Sequence, residues 1–131
     1  MFTKEDVIFT YSRKQAIADG MLVDLSDQAR DYGFKIPFAC TEGVWGTVRW
    51  TDADEQRKPG AGQSTEGRLH DVLALSIHAA RRTNDNRTTF RVLMVPKAGM
   101  AIEPEEVALH LTVGPGDDGK PVCTLMMIDE D

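Results

Sequence analysis

The chain contains little that would cross-link a fold or bind a metal. Its 131 residues include only two cysteines, Cys40 and Cys123, which lie far apart and have no CxxC pair or histidine at ligand spacing. We expect two reduced, partly buried thiols, and a disulfide only if the fold brings them together. A chain of this length can bury a conventional core unaided. We therefore predict a single domain over residues 1–131 without a metal site.

Long apolar runs are missing as well. No stretch approaches the roughly 20 apolar residues of a membrane span. Lys4, Glu5 and Asp6 stand where a secretory signal would be apolar. Hydrophobic residues make up 41% and charged residues 27% of the chain, as in ordinary globular proteins. We therefore expect a cytoplasmic protein that does not enter a membrane.

Motifs for catalysis and cofactor binding are also lacking. Residues 114–119 match the GxGxxG spacing, but Pro115 lacks an amide hydrogen and Asp117 and Asp118 place negative charge where phosphates would lie. The stretch instead predicts the turn of a β-hairpin. No serine lies in a GxSxG elbow, and no cysteine has a recognisable base partner. We expect no catalytic residue and no cofactor.

Basic residues are scarce at the C-terminal end. Residues 1–100 hold 14 basic and 13 acidic side chains, whereas residues 101–131 hold eight acids against Lys120 alone, a local charge of −7. Such a surface repels nucleic acid and attracts basic partners, although acids of this kind also simply aid solubility. The acids we propose as a partner-binding surface are Glu105, Glu106, Asp117, Asp118, Asp129, Glu130 and Asp131.

The N-terminal half shows short helical patterns. Residues 13–19 and 26–33 predict short helices that end near Gly20 and Gly33, with a short extended piece between them. Residues 41–50 are ambiguous between helix and strand, and we favour helix. Residues 51–64 are rich in glycine, proline and charge, which indicates a mobile loop.

The C-terminal half shows the clearest patterns. An apolar stripe over residues 65–82 predicts the main core helix, and runs at 88–95, 106–113 and 121–128 predict strands. Three consecutive strands with short polar turns predict an antiparallel meander. The expected fold is therefore α+β, with a three-stranded antiparallel meander and one long and several short helices packed on one face. Its free edge would allow homodimerisation.

The main helix also suggests an alternative site. The basic and imidazole side chains Arg68, His70, His78 and Arg82 could surround an anionic metabolite in a small enzyme or ligand-binding protein. His70 and His78 are eight residues apart, whereas chelation on a helix face requires a spacing of three or four. A solvated helix end explains the same residues without any ligand.

Three segments carry a resemblance to a known family. They are YSRKQAIADGMLVDLSDQARDYGFKIPFACTEGVW (11–45), GRLHDVLALSIHAARR (67–82) and VALHLTVGPGDDGKPVCTLMMIDED (107–131). The chain resembles an uncharacterised family, a domain of unknown function, of small proteins carried on bacterial plasmids, prophages and phages. The resemblance implies a mobile-element accessory protein that binds a host or defence-system protein. With the acidic surface, it suggests a counter-defence inhibitor of anti-CRISPR or antirestriction type, with direct nucleic-acid binding disfavoured.

Overall fold

The computed structural model describes residues 11–130. Two predictions lie outside this range, those for Asp131 and for the N-terminal charges at residues 4–6. The helices within the range are α1 (Arg13–Ala18), α2 (Ser26–Arg30), α3 (Glu42–Val48), α4 (Asp52–Arg57) and α5 (Thr65–Arg81). The strands are β1 (Leu22–Asp24), β2 (Phe38–Thr41), β3 (Arg87–Met94), β4 (Glu105–Pro115) and β5 (Pro121–Met127).

The strands form one mixed sheet of five in the order β1-β2-β5-β4-β3. Neighbours run antiparallel except β2 and β5, which are parallel. The α+β class is confirmed, but the prediction of a three-stranded antiparallel meander is wrong. The extended piece predicted between the first two helices is β1, but its place in the sheet was not predicted. The strand β2 had no alternating pattern long enough to recognise, and it joins the sheet through a parallel pairing with a strand about 85 residues away.

One face of the sheet carries the hydrophobic core. Side chains of Phe90, Leu109 and Leu125 point to this face, and the helices α2, α3 and α5 cover it with Ala29, Val44, Val72 and other buried residues. Alternation along β4 places Leu109 and Leu111 inward and His110 outward, as its sequence pattern predicts. The core therefore lies between the inner sheet face and α5, the longest helix.

Helix α1 lies on the opposite face. Thr124 alternates with the core residues Cys123 and Leu125, so its side chain points outward, and Arg13 of α1 donates to Thr124 Oγ1 at 2.7 Å. Arg13 also donates to the carbonyl of Cys123 at 2.6 Å. The prediction that the helices pack on one face is therefore wrong. The short helix at 13–19 was correctly predicted, but its sequence does not show which face it covers.

The segment 51–64 is only partly irregular. Residues Asp52–Arg57 form α4, which begins with a capping box in which Thr51 and Asp54 exchange side-chain and backbone hydrogen bonds. The interpretation of the whole segment as a loop is therefore wrong for its first half. The highly charged sequence DADEQR gave no apolar pattern from which a helix could be predicted. Asp54 in this helix and Lys58, just after its last residue, are both buried.

The other helix predictions fare well. Residues 41–50 contain α3, and the main helix α5 matches the predicted range to within a residue. Its cap is Ser64, whose Oγ accepts from the N–H of Gly67, whereas Thr65 is already helical. Helix α2 begins at Ser26, as predicted, and ends at Arg30, three residues before the predicted limit of 33. No helix in the described part of the chain is both long and apolar enough to cross a membrane.

Candidate partner-binding surface

The strand register defines two ends of the sheet. Met94 at the end of β3 pairs with Glu105 at the start of β4, and this end also holds the last residues of β5 and β2. We call it the acidic end. The opposite end holds the turn at 116–120 between β4 and β5, and we call it the hairpin end.

Six carboxylate side chains lie at the acidic end. Glu105 and Glu106 are at the start of β4. Met127, the last residue of β5, pairs with Leu109, which lies four residues after Glu105 on β4. The end of β5 is therefore roughly 13 Å from Glu105 along the strand direction. All six are exposed except Glu130, which is half-buried. They are Glu42, Glu103, Glu105, Glu106, Asp129 and Glu130. The only ion pair among them in the described residues joins Glu106 to Arg91 across the strands at 3.6 Å, a solvent-exposed contact.

The same end exposes apolar side chains. Of the seven large hydrophobic residues that are exposed in the described part of the chain, five are located here. Met100, in the loop between β3 and β4, is 93% exposed, and Ile102 in the same loop is 51% exposed. The five are Met21, Leu93, Met100, Ile102 and Ile128. Apolar side chains grouped among charged ones are typical of a protein-interaction surface.

The structure divides the predicted acidic set. Glu105, Glu106, Asp129 and Glu130 lie at the acidic end, whereas Asp117 and Asp118 lie in the hairpin turn, about ten residues of β4 away, or roughly 35 Å. The predicted residues therefore do not form one continuous surface. The exposed apolar residues, for which the sequence pattern gave no signal, make the acidic end the better candidate for a partner-binding surface.

At the hairpin end, Asp117 serves the fold. Its two carboxylate oxygens accept the backbone N–H groups of Arg13 and Lys14, at 2.8 and 3.0 Å. These bonds satisfy two donors at the start of α1 and hold the hairpin against that helix. They also hold the pKa of Asp117 below its usual value. Its neighbour Asp118 accepts the N–H of Lys120 and remains exposed.

Glu130 also has a structural role, although it lies at the acidic end. Its Oε1 accepts from Thr41 Oγ1 at 2.8 Å and from the N–H of Met127 at 3.0 Å. A Cβ atom on Gly43 would lie 2.8 Å from the same oxygen. The absence of a side chain at Gly43 therefore makes room for this carboxylate, and Glu130 fixes the end of β5 against α3.

Beneath the acidic surface lies a buried guanidinium. Arg68 is 3% exposed, stacks over the ring of Trp50 at 5.1 Å and has no carboxylate of residues 11–130 within hydrogen-bond distance. Burial lowers the pKa of Arg68. Its donors reach oxygen acceptors at 2.5–3.0 Å, namely the carbonyls of Thr47, Val48 and Val95 and the side chain of Gln63. Arg68 therefore ties α5 to the ends of α3 and β3.

Two lysines complete this buried polar region. Lys58 is 2% exposed and donates to three carbonyls of the loop after β3. Lys97 donates to the carbonyls of Gly46 and Arg49 and lies 3.0 Å from Asp54 Oδ2. Burial by itself would raise the pKa of Asp54, but the N–H of Thr51 and the ammonium of Lys97 bring it well below its usual range.

These contacts make the accessible charge more negative. Among the described residues, two cations, Lys58 and Arg68, and one anion, Asp54, are buried. Residues 11–130 hold 14 basic and 18 acidic side chains, a formal charge of −4, and withdrawing the two cations and the one anion leaves −5 on the groups that are not buried. The fold thus uses positive charge inside and leaves negative charge outside, which favours contact with a basic surface.

The alternative Arg/His cluster does not form a common pocket. The donors of Arg68 are directed to carbonyls inside the protein, and His70 Nδ1 is paired with the hydroxyl of Tyr32 at 2.7 Å. A surface cavity of about 460 Å³ is lined by Arg68 and His70 but not by His78 or Arg82, which are exposed further along α5. The periodicity of α5 contained a signal for the burial of Arg68, which lies one turn before Val72 on the core stripe.

The two thiols are buried and free. Cys40 and Cys123 lie on the paired strands β2 and β5, offset by two residues because Phe38 is opposite Cys123. Burial raises the pKa of Cys40 to about 12 and that of Cys123 to about 11, so neither forms a thiolate near neutral pH. No group of three potential metal ligands exists within residues 11–130.

The structure shows an α+β fold with exposed apolar and acidic side chains grouped at one end of a five-stranded sheet. The chain belongs to a family of unknown function, DUF6573, which matches over residues 1–131. No curated protein and no solved structure matches the chain significantly.

Proposed function

We propose that this protein is a non-catalytic binding protein whose acidic end contacts the basic surface of another protein. The observation that carries the proposal is that carboxylates and exposed apolar side chains coincide at this end. Exposed Met100 and Ile102 lie within a few residues of Glu103, Glu105 and Glu106. Apolar contacts supply affinity in such an interface, and charge supplies steering and partner choice.

The partner we propose is a host or defence-system protein that holds nucleic acid through its basic surface. The accessible charge supports this choice, since it repels phosphates and attracts the lysine and arginine side chains that bind them. The protein then acts in the cytoplasm as a counter-defence inhibitor of anti-CRISPR or antirestriction type, carried by a plasmid, prophage or phage. The structure of the acidic end supports a binding role, and the remainder of this proposal rests on the sequence resemblance.

Self-association is a second proposal that concerns the sheet edge. In the described part of the chain, β3 pairs with β4 on one side and has no strand on its other side. Within the described residues, the outer side of residues 88–94 has no neighbouring strand and can accept a second copy of β3. Sedimentation at concentrations from micromolar to millimolar would detect such a homodimer, and a single monomeric species throughout would contradict it.

A pair of charge-matched variants tests the binding proposal. The acidic-end variant carries Glu105→Lys, Glu106→Lys and Asp129→Lys. The hairpin-end variant carries the same change at three exposed aspartates near the other end, Asp31→Lys, Asp85→Lys and Asp118→Lys. Both raise the net charge equally, so any difference between them reports position and not total charge.

The measurement is capture from nuclease-treated host lysate, with the captured protein identified by mass spectrometry and its affinity then measured with purified protein. We expect the wild type and the hairpin-end variant to bind the same basic, nucleic-acid-binding partner. The acidic-end variant should bind it at least about 100-fold more weakly, because opposite charges become like charges. Equal loss by both variants, or loss by the hairpin-end variant alone, would overturn the proposal.

A further inference from the structure

The loop between β3 and β4, residues 95–104, carries the most exposed apolar side chain in the described structure. Met100 is 93% exposed, whereas Val95 at the start of the loop is buried. The sequence VPKAGMAIEP has no helical or strand pattern, and Gly99 adopts a positive φ of 72°. Any residue with a Cβ atom would be strained in this backbone conformation. The loop therefore has a specific backbone path that presents Met100 to solvent.

Lys58 fixes that path from inside. Its ammonium group has three N–H donors, and each is directed to a carbonyl oxygen of the loop. The acceptors are the carbonyls of Pro96, Ala98 and Ala101. The lysine itself is 2% exposed. The loop backbone thus wraps around a buried cation, and charge-assisted hydrogen bonds of this kind are stronger than those between neutral groups.

Lys97 holds the beginning of the same loop. Its ammonium donates to the carbonyls of Gly46 at 2.9 Å and Arg49 at 2.7 Å, near the end of α3. It also contacts Asp54, which is buried in α4. The loop is therefore attached to two helices through side chains as well as to two strands through its ends. Such attachment reduces the conformational freedom that a partner would otherwise have to remove on binding.

We propose that the β3–β4 loop is a preformed binding loop: Lys58 fixes its backbone, and Met100 enters an apolar pocket on the basic partner. This inference rests on the proposed function and specifies its recognition element. Charge complementarity argues for the same partner, because Glu103, Glu105 and Glu106 follow Met100 and would face basic residues around the pocket. Methionine is enriched in interfaces, where its flexible, polarisable side chain fills irregular pockets.

The first arm of the test measures the loop without a partner. Lys58→Met keeps the length of the side chain and removes the three donors, and Lys120→Met makes the same change at an exposed lysine of the hairpin. We expect amide hydrogen exchange within residues 97–103 to accelerate at least about tenfold in Lys58→Met and to stay unchanged in Lys120→Met. Unchanged exchange in Lys58→Met would overturn the role of the lysine.

A stability control keeps this arm decisive. Val44→Ala removes buried methyl groups from the core without touching the loop. If Lys58→Met accelerates exchange throughout the sheet, it is compared with Val44→Ala at equal distance from the melting temperature. Faster exchange of the loop in Lys58→Met alone supports the proposal, and identical profiles for the two variants overturn it.

The second arm measures binding. A photo-reactive benzoylphenylalanine replaces Met100 or, as a control, Leu75 on α5, which is also an exposed apolar residue. We expect a cross-link to the captured partner from position 100 only, and at least about tenfold weaker binding for Met100→Ala than for Leu75→Ala. Binding that survives Met100→Ala would overturn the loop proposal alone. Absence of any partner for the wild type would overturn the proposed function as well.

Discussion

The two ends of the sheet use acidic residues in different ways. At the hairpin end, Asp117 accepts two backbone N–H groups of α1 and belongs to the internal hydrogen bonding of the fold. At the acidic end, Glu105 and Asp129 are exposed, and two of the three buried charges beneath them are cations whose partners are mainly carbonyl oxygens. The role of a carboxylate in this protein therefore depends on the backbone groups within its reach.

The comparison also shows why a count of charges along the sequence does not locate a surface. All the acids of residues 101–131 contribute equally to the local charge of −7. A carboxylate that caps a helix is less available to a partner than one that does not, since it loses its structural bonds when it turns outward. Variants that remove either a charged group bound within the fold or a nearby exposed one test this distinction.

The largest effect is expected for the buried cation under the acidic end. Arg68→Ala leaves the carbonyls of Thr47, Val48 and Val95 without their donor and opens a cavity beside Trp50. We expect a loss of about 3–5 kcal/mol in the free energy of unfolding, measured by urea denaturation.

The matched control for this variant is Arg82→Ala, at the exposed end of the same helix. Because surface substitutions of this kind usually change stability little, we expect a shift below about 0.5 kcal/mol. If the two variants were equally stable, the guanidinium of Arg68 would not be the structural link that we describe.

A smaller effect on stability is expected for Glu130, the carboxylate at the acidic end that accepts hydrogen bonds from within the fold. Glu130→Ala removes the acceptor for Thr41 Oγ1 and for the N–H of Met127, and should lower the free energy of unfolding by about 1 kcal/mol. Asp129→Ala, its exposed neighbour, should have almost no effect on stability and a larger effect on partner binding. If urea denaturation showed a larger loss of stability for Asp129→Ala than for Glu130→Ala, the distinction between a structural and an exposed carboxylate would be contradicted.

The smallest effect is expected at the hairpin, and it depends on pH. Because the pKa of folded Asp117 lies below its unfolded value, the charged carboxylate stabilises the fold above about pH 4, and this contribution is lost as the pH falls through the folded pKa. Asp117→Asn should therefore lower the Tm near neutral pH, and its difference from the wild type should shrink below about pH 4. Thermal melts between pH 2.5 and 7 measure this difference.

Asp118→Asn provides the comparison for that series. Asp118 is exposed and accepts the N–H of Lys120 within the turn. Its Tm should follow that of the wild type across the pH range more closely than Asp117→Asn does. A difference between Asp117→Asn and the wild type that stayed constant down to pH 2.5 would show that the capping carboxylate is not the group responsible.

The long elements were predictable because their patterns are local. The apolar stripe of α5 and the alternation of β4 depend on residues within one segment, so both were located to within a few residues. The hairpin turn was predictable for the same reason: its Asp-Gly pair favours a turn, and Gly119 has a φ of 82°. The rejection of a dinucleotide loop there followed from this local context.

Other features depend on contacts between distant segments. The strand β2 is four residues long and pairs in parallel with β5. No periodicity in the sequence predicts this pairing. In the sequence, Lys58 follows a charged helix and looks like a surface lysine. In the structure, the loop of residues 95–104 surrounds it and accepts its hydrogen bonds. Arg68 could have been recognised as buried from its position on the α5 stripe, but nothing in the sequence names its carbonyl partners.

The sequence by itself determined the α+β class, the main helix, the three C-terminal strands and the excess of negative charge, because composition and short-range periodicity are properties of neighbouring residues. Only the tertiary structure decided which acids are free, which cations are buried and that the exposed apolar residues gather at one end. The physical reason is that a carboxylate, an ammonium group or a methionine acquires its role from the groups placed within a few ångströms of it, and those groups come from distant parts of the chain.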